Sequence, residues 1–196
     1  MNKYYEEDLP DGYRETMVVN FNDIDLGKKL MTVGAACSTV LFLVIFFAYV
    51  LPRIKEIASE FSIIKIVGLI AAYFLYVILH ELTHGVVYKL VTGQKLTFGI
   101  KPPAAYCGVP DIYCYRITSL LSLFMPLTFW SIILVSAFII VADPFIKTLI
   151  LVLLVLHLSG CIGDLYSIRL FFSRFKDPST LRRDLGPKQI YYTKEQ

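Results

Sequence analysis

Hydrophobic positions crowd into four runs, 31–51, 63–91, 117–142 and 145–168. Each meets the length of about 20 mostly apolar residues that a helix needs to cross hydrocarbon. Pro52 and Arg53 close the first run, and Asp143-Pro144 predicts a tight turn between the last two, because Pro cannot continue a helix and Asp favours turn initiation. The second run is longer than a span requires, which implies tilt or an extension beyond the bilayer. Between runs two and three, residues 92–115 are too polar and too rich in Gly and Pro to span. Within them Lys95 to Lys101 alternates like a short strand, ended by Pro102-Pro103. The pattern predicts an all-α integral membrane protein, four transmembrane helices with a short cytoplasmic loop or β-hairpin between helices two and three.

Composition agrees with that reading. Of 196 residues, 56% are hydrophobic and 18% charged, with a mean hydropathy of +0.62; an ordinary soluble domain carries roughly a quarter charged residues. A formal charge of +3 excludes a strongly basic nucleic-acid binder. The four cysteines show no secreted disulfide spacing, and Cys107 and Cys114 are expected to be free thiols. Fifteen Lys and Arg residues, among them Lys3, fall on the side of the two termini and the central loop, against four on the other side. The positive-inside rule then puts both termini in the cytoplasm of a multi-pass protein of the cell membrane. Three segments follow: a cytoplasmic N-terminal stretch over 1–30, a four-span domain over 31–168, and a basic tail over 169–196. The first stretch lacks the pattern of a removable signal peptide, so the first span is expected to direct insertion. The tail is expected to form an interfacial helix and then loose chain held against anionic lipid.

Ionisable side chains inside spans cost roughly 2.5–3.5 kcal/mol each at mid-helix, so each asks for a function. Here His80, Glu81, His84, His157 and Asp164 lie within the runs. The segment 80–84 reads His-Glu-Leu-Thr-His, the H-E-x-x-H pattern. Two histidines four apart share one helix face and can reach one ion, while Glu81, rotated by about 100°, flanks it as a candidate general base. A shuffled chain of this composition would show the pattern about once in a thousand trials. The competing reading is that these groups are interhelical hydrogen-bonding partners. A catalytic zinc takes three protein ligands and leaves one position for water. Measured along ideal helices, His80 and His84 lie about 26–32 Å from the outer start of their span and Asp164 about 28 Å from the start of its own, so the depths agree. His157, about 10 Å nearer the outer surface, is the rival third ligand or a hydrogen-bonding group near the metal.

With H-E-x-x-H late in the second span and Ser159-x-x-Gly163-Asp164 late in the last, the chain resembles the zincin peptidase family of small four-span bacterial membrane proteins, similar in motif layout to the site-2 proteases. The matching positions are His80, Glu81, His84, Ser159, Gly160, Gly163 and Asp164. The stretch from Ala105 to Arg116 and Pro126 add weaker likeness, and the resemblance covers residues 61–173. It implies that His80, His84 and Asp164 bind Zn2+, that Glu81 is the general base, and that His157 stands near the transition state or behind the ligands. The site-2 proteases carry Asp followed by Gly, whereas here Gly precedes Asp.

The expected activity is zinc-dependent hydrolysis of a membrane-bound or membrane-proximal peptide, with the lipid bilayer as the other partner and no nucleic acid. A strand at 95–101 either offers free backbone groups to an extended substrate or is a plain interfacial hairpin, and a kink at Pro126 offers either a water path or only packing. The alternative is a non-catalytic metal-binding membrane protein, a transporter subunit or scaffold. The almost uncharged outer halves of the spans argue against a permeation path. Substrate-binding residues and oligomeric state are left open.

Overall fold

The computed structural model describes residues 4–101 and 104–195, so Lys3 and the Pro102-Pro103 strand end lie outside the described residues. Helix α1, Ile24–Ile45, starts on Asp23, whose carboxylate accepts from the backbone N–H groups of Asp25 and Leu26 at 3.1 and 2.9 Å. Its path continues past Pro52 through a π-helical turn at Phe46–Val50, a 3-10 turn at Leu51–Arg53 and the short α2, Ile54–Ser59. A proline ring clashes with the carbonyl four residues earlier in a regular helix, and the widened turn absorbs that clash. Helix α3 spans Ile63–Thr92 and stops at Gly93, whose φ of +70° suits a residue without Cβ. Helix α4, Arg116–Ile140, is followed by α5, Pro144–Gly160, which Asp143 caps through Phe145 and Ile146 N–H at 2.9 Å each. Helix α6, Ile162–Ser173, leaves α5 at a bend of 43°.

Helix α3 packs on α4, α4 on α5 and α5 on α1. Gly34 of α1 lies against the Ser159 carbonyl, and Ser38 hydrogen-bonds Ser159. Among the described residues three helical segments, Ile24–Ser59, Ile63–Thr92 and Arg116–Ile140, are long and apolar enough to cross a membrane, and the bent α5–α6 pair passes the same test as one unit. Their polarity is inverted: Ile64 and Ile140 are at least 80% exposed, while His80, Ser122 and His157 are buried. An apolar exterior around a polar interior suits hydrocarbon as the surrounding phase.

The all-α expectation is wrong. Six antiparallel strands, β1 Tyr5–Glu6, β2 Tyr13–Asn20, β3 Thr97–Lys101, β4 Ala104–Tyr115, β5 Leu181–Asp184 and β6 Lys188–Lys194, form a sheet in the order β1-β4-β5-β6-β2, with β3 on β4. Part of the N-terminal stretch and part of the basic tail, the latter expected as loose chain after a helix, are strands β2 and β6 paired from Tyr13↔Lys194 to Asn20↔Lys188, while α6 runs to Ser173 at the start of the tail. Local periodicity could not show this. The tail strands hide Arg182 and Gln189 as well as Leu181 and Ile190, so the inward positions do not read as apolar.

Val19 of β2 and Tyr191 of β6 close a core with Leu120 and Leu123 of α4, Ile168 and Phe171 of α6, and Phe175. Phe175 stacks on Tyr191 with centroids 4.6 Å apart and is 2% exposed. The sheet is therefore bonded to the ends of the helices that carry the polar interior. Phe175→Ala removes that stack and is expected to cost about 3–5 kcal/mol, read as a lowered unfolding midpoint in detergent; an unchanged midpoint would remove the core assignment.

Candidate metal centre

Helix α3 carries a polar stripe at four-residue spacing, Tyr76, His80, His84 and Tyr88, all buried on one face. His80 Nε2 lies 3.3 Å from Asp164 Oδ2, and His84 Nε2 lies 3.4 Å from Asp164 Oδ1. Asp164 reaches them from the first turn of α6, where the N-terminal end of the helix dipole favours a carboxylate. The bend at Cys161 creates that helix start in mid-path. Glu81 stands beside the pair, with its ligand-type oxygen and the two imidazoles all within 4.8 Å of one another. Its carboxylate accepts from the backbone N–H of Cys107 in β4.

The hydrogen bonds behind the histidines fix which ring nitrogen carries the proton. His84 Nδ1 lies 2.9 Å from the Ser122 carbonyl, an acceptor only, so Nδ1 donates, and in the neutral ring Nε2 keeps a lone pair. His157 Nε2 faces the Leu127 carbonyl at 3.3 Å and therefore donates, which leaves its Nδ1 to accept from Tyr76 Oη at 2.6 Å. Tyr76 Oη in turn accepts from His80 Nδ1 at 2.9 Å. In the neutral ring His80 Nε2 is then also an acceptor, and two such nitrogens beside one carboxylate make a site that a cation satisfies. Two ligand atoms on one tetrahedral zinc, each about 2.0–2.2 Å from the ion, sit about 3.3–3.5 Å apart; each histidine lies at that distance from one oxygen of Asp164. The donor set fits a divalent metal, with Tyr76 and the Ser122 carbonyl orienting the ligands from behind.

The Ser122 carbonyl is available because of Pro126. A proline four residues on has no N–H to offer it, so the α4 ladder is open where His84 needs an acceptor. That gives Pro126 a definite task in place of the water path or simple packing. His157 shares a cluster with His80 and Cys161 whose ligand-type atoms lie within 4.8 Å of one another. Its two nitrogens are engaged by Tyr76 and by Leu127 and Ser131, so it stands behind the metal face and not on it. Sequence reasoning overlooked Tyr76 and Ser122, although the stripe Tyr76-His80-His84-Tyr88 and the offset from Ser122 to Pro126 were both visible signals.

Residues 73–178, more than half of the chain, match the family described as putative zincin peptidases. The chain belongs to that family. No curated protein and no solved structure matches it. In this zincin the matched stretch holds all of α4, α5 and α6 and the stripe of α3, and it ends before β5 and β6.

A cavity of about 450 Å³ opens over the metal face. Its walls come from the β2–α1 junction and α1 (Phe21, Leu30, Met31), from β4 (Ala105, Tyr106, Cys107), from the α5–α6 bend and from the β5–β6 turn (Asp184, Gly186). Strand β4 gives one edge of residues 104–108 to β3, and its pairing with β5 begins only at Val109. Ala105, Tyr106 and Cys107, the stretch of β4 not yet paired with β5, line the cavity beside Glu81. Burial pushes the Cys107 and Cys114 thiols up to about 12.

Tyr76→Phe removes the acceptor behind His80 and is expected to weaken zinc binding about 10–100-fold in a chelator competition; affinity equal to the parent protein would show that the bond orients nothing. With both thiols raised to about 12, only about one in ten thousand is thiolate at pH 8. Iodoacetamide at that pH should therefore leave Cys107 and Cys114 unmodified until the protein is unfolded, and rapid native labelling would contradict their burial.

Proposed function

We propose that this zincin is a four-span zinc peptidase of the site-2-protease type. It lies in the cytoplasmic membrane with both termini in the cytoplasm and cleaves a membrane-bound or membrane-proximal peptide. His80, His84 and Asp164 are the metal ligands and Glu81 is the general base. The observation that carries this reading is the convergence of the His80 and His84 Nε2 atoms on Asp164, with the Glu81 carboxylate beside them. Zinc, when bound, supplies a water of lowered pKa and a Lewis acid for the scissile carbonyl. Glu81 takes the proton of the attacking water and delivers it to the leaving amine, as a carboxylate within reach of both can do.

The cavity edge of β4 supports a peptide substrate. Peptide hydrolysis needs an extended segment, and a strand edge whose backbone groups are not all paired binds such a segment whatever its side chains. Residues 105–107 of β4 line the cavity together with Glu81, so a segment laid along them passes the base. Glu81→Gln keeps the size of the side chain and removes its basicity. It should retain one zinc per chain by elemental analysis while cleavage of a membrane peptide falls by at least 10²-fold. Asp164→Asn should lose the metal as well. Turnover unchanged in the Gln variant would remove the mechanism, and a parent protein without zinc would remove the metal centre.

A further inference from the structure

Strands β5 and β6 lie beyond the family match, yet they bury a polar cluster that reaches both helices of the metal face. Arg182 is 0% exposed, and a charge so placed needs partners: both Nη atoms have them, while Nε has none among the described residues. Its Nη2 donates to Asp184 Oδ2 at 2.9 Å and to Tyr88 Oη, and its Nη1 donates to Gln189 Oε1 at 3.3 Å. Tyr88 Oη donates to Asp184 Oδ2 at 2.6 Å, and Ser167 Oγ donates to Gln189 Oε1 at 3.0 Å.

The two outermost members of this cluster belong to the two metal-bearing helices. Tyr88 sits one turn after His84 on the same face of α3, and Ser167 sits three residues after Asp164 on α6. The β5–β6 pairing joins their partners, Asp184↔Gln189 and Arg182↔Tyr191. A continuous chain of bonds therefore runs from α3 through Tyr88, Arg182 and Asp184, across to Gln189, and through Ser167 into α6. Helix α4 packs on both α3 and α6, and β4 packs on α3; to this packing the hairpin adds a buried polar link between α3 and α6, one turn beyond the histidines.

We propose that the buried Arg182–Asp184–Gln189 cluster of the β5–β6 hairpin is the positioning device of the metal centre, holding α3 and α6 at the spacing at which His80, His84 and Asp164 converge. The inference rests on the zinc-ligand reading above and adds three residues that act through the ligands without touching the ion. Because the links lie in series, cutting either end releases the same constraint.

The test uses the full chain in detergent and zinc alone as the probe. Tyr88→Phe removes the end bonds to Asp184 and Arg182, Ser167→Ala removes the bond to Gln189 together with one to the Gly163 carbonyl of its own helix, and Tyr13→Phe, which loses a bond from β2 to the Ser179 carbonyl, is the control. Zinc affinity by chelator competition should fall at least 10-fold in each end variant and stay within 2-fold in the control. The double variant Tyr88→Phe/Ser167→Ala should be no weaker than the worse single variant. At saturating Co2+ the ligand-field spectrum of the end variants should change shape, which a smaller folded fraction alone does not produce. End variants with parental affinity and spectrum, or losses that multiply in the double variant, would overturn the positioning role while leaving the ligands in place. A parent protein that binds no zinc would overturn the ligand reading first and this inference with it.

Discussion

Two imidazoles and one carboxylate meet inside a bundle of helices whose outer faces are largely apolar. Each of these groups is costly to bury, and the bonds behind them turn both Nε2 atoms toward the carboxylate. Tyr76, His157 and the Leu127 carbonyl decide the tautomer of His80, and the Ser122 carbonyl decides that of His84. The interior is thus arranged so that a cation resolves the contact. The helix bend at Cys161, the proline in α4 and the polar stripe of α3 all make sense as consequences of that demand.

The sheet has the opposite character. It sits at one end of the helices, gathers the two chain ends and the central hairpin, and meets the cavity through β4 and the β5–β6 turn. Strand β4 does two things at once: one face completes a core around Tyr88, Val109, Ile112 and Cys114, and one edge lies along the cavity. The sheet draws its strands from three separate parts of the chain. Its polar network then spans the boundary, with Arg182 on the sheet side and Tyr88 on the helix side.

The parts of the site that sequence could reveal were those set by local spacing. His80 and His84 share a face because they are four residues apart, and Asp143 caps a helix because it precedes Pro144. Asp164 was reachable by matching depths on ideal helices, although its path is bent by 43° and not straight. The same straight-helix assumption put His157 too far from the ion for a ligand. It stands near His80, and its hydrogen-bond partners keep it from the ion.

What the amino-acid sequence determined by itself was the apolar helices, their polar interruptions and the H-E-x-x-H geometry, because periods of a few residues encode all three. What only the tertiary structure decided was the sheet, the tautomers and the bond chain from Tyr88 to Ser167. Those depend on pairs such as Tyr13 with Lys194 and Arg182 with Tyr88, separated by most or half of the chain. Their energies come from contacts that exist only after the chain has folded, so no local pattern of hydrophobic and polar residues records them.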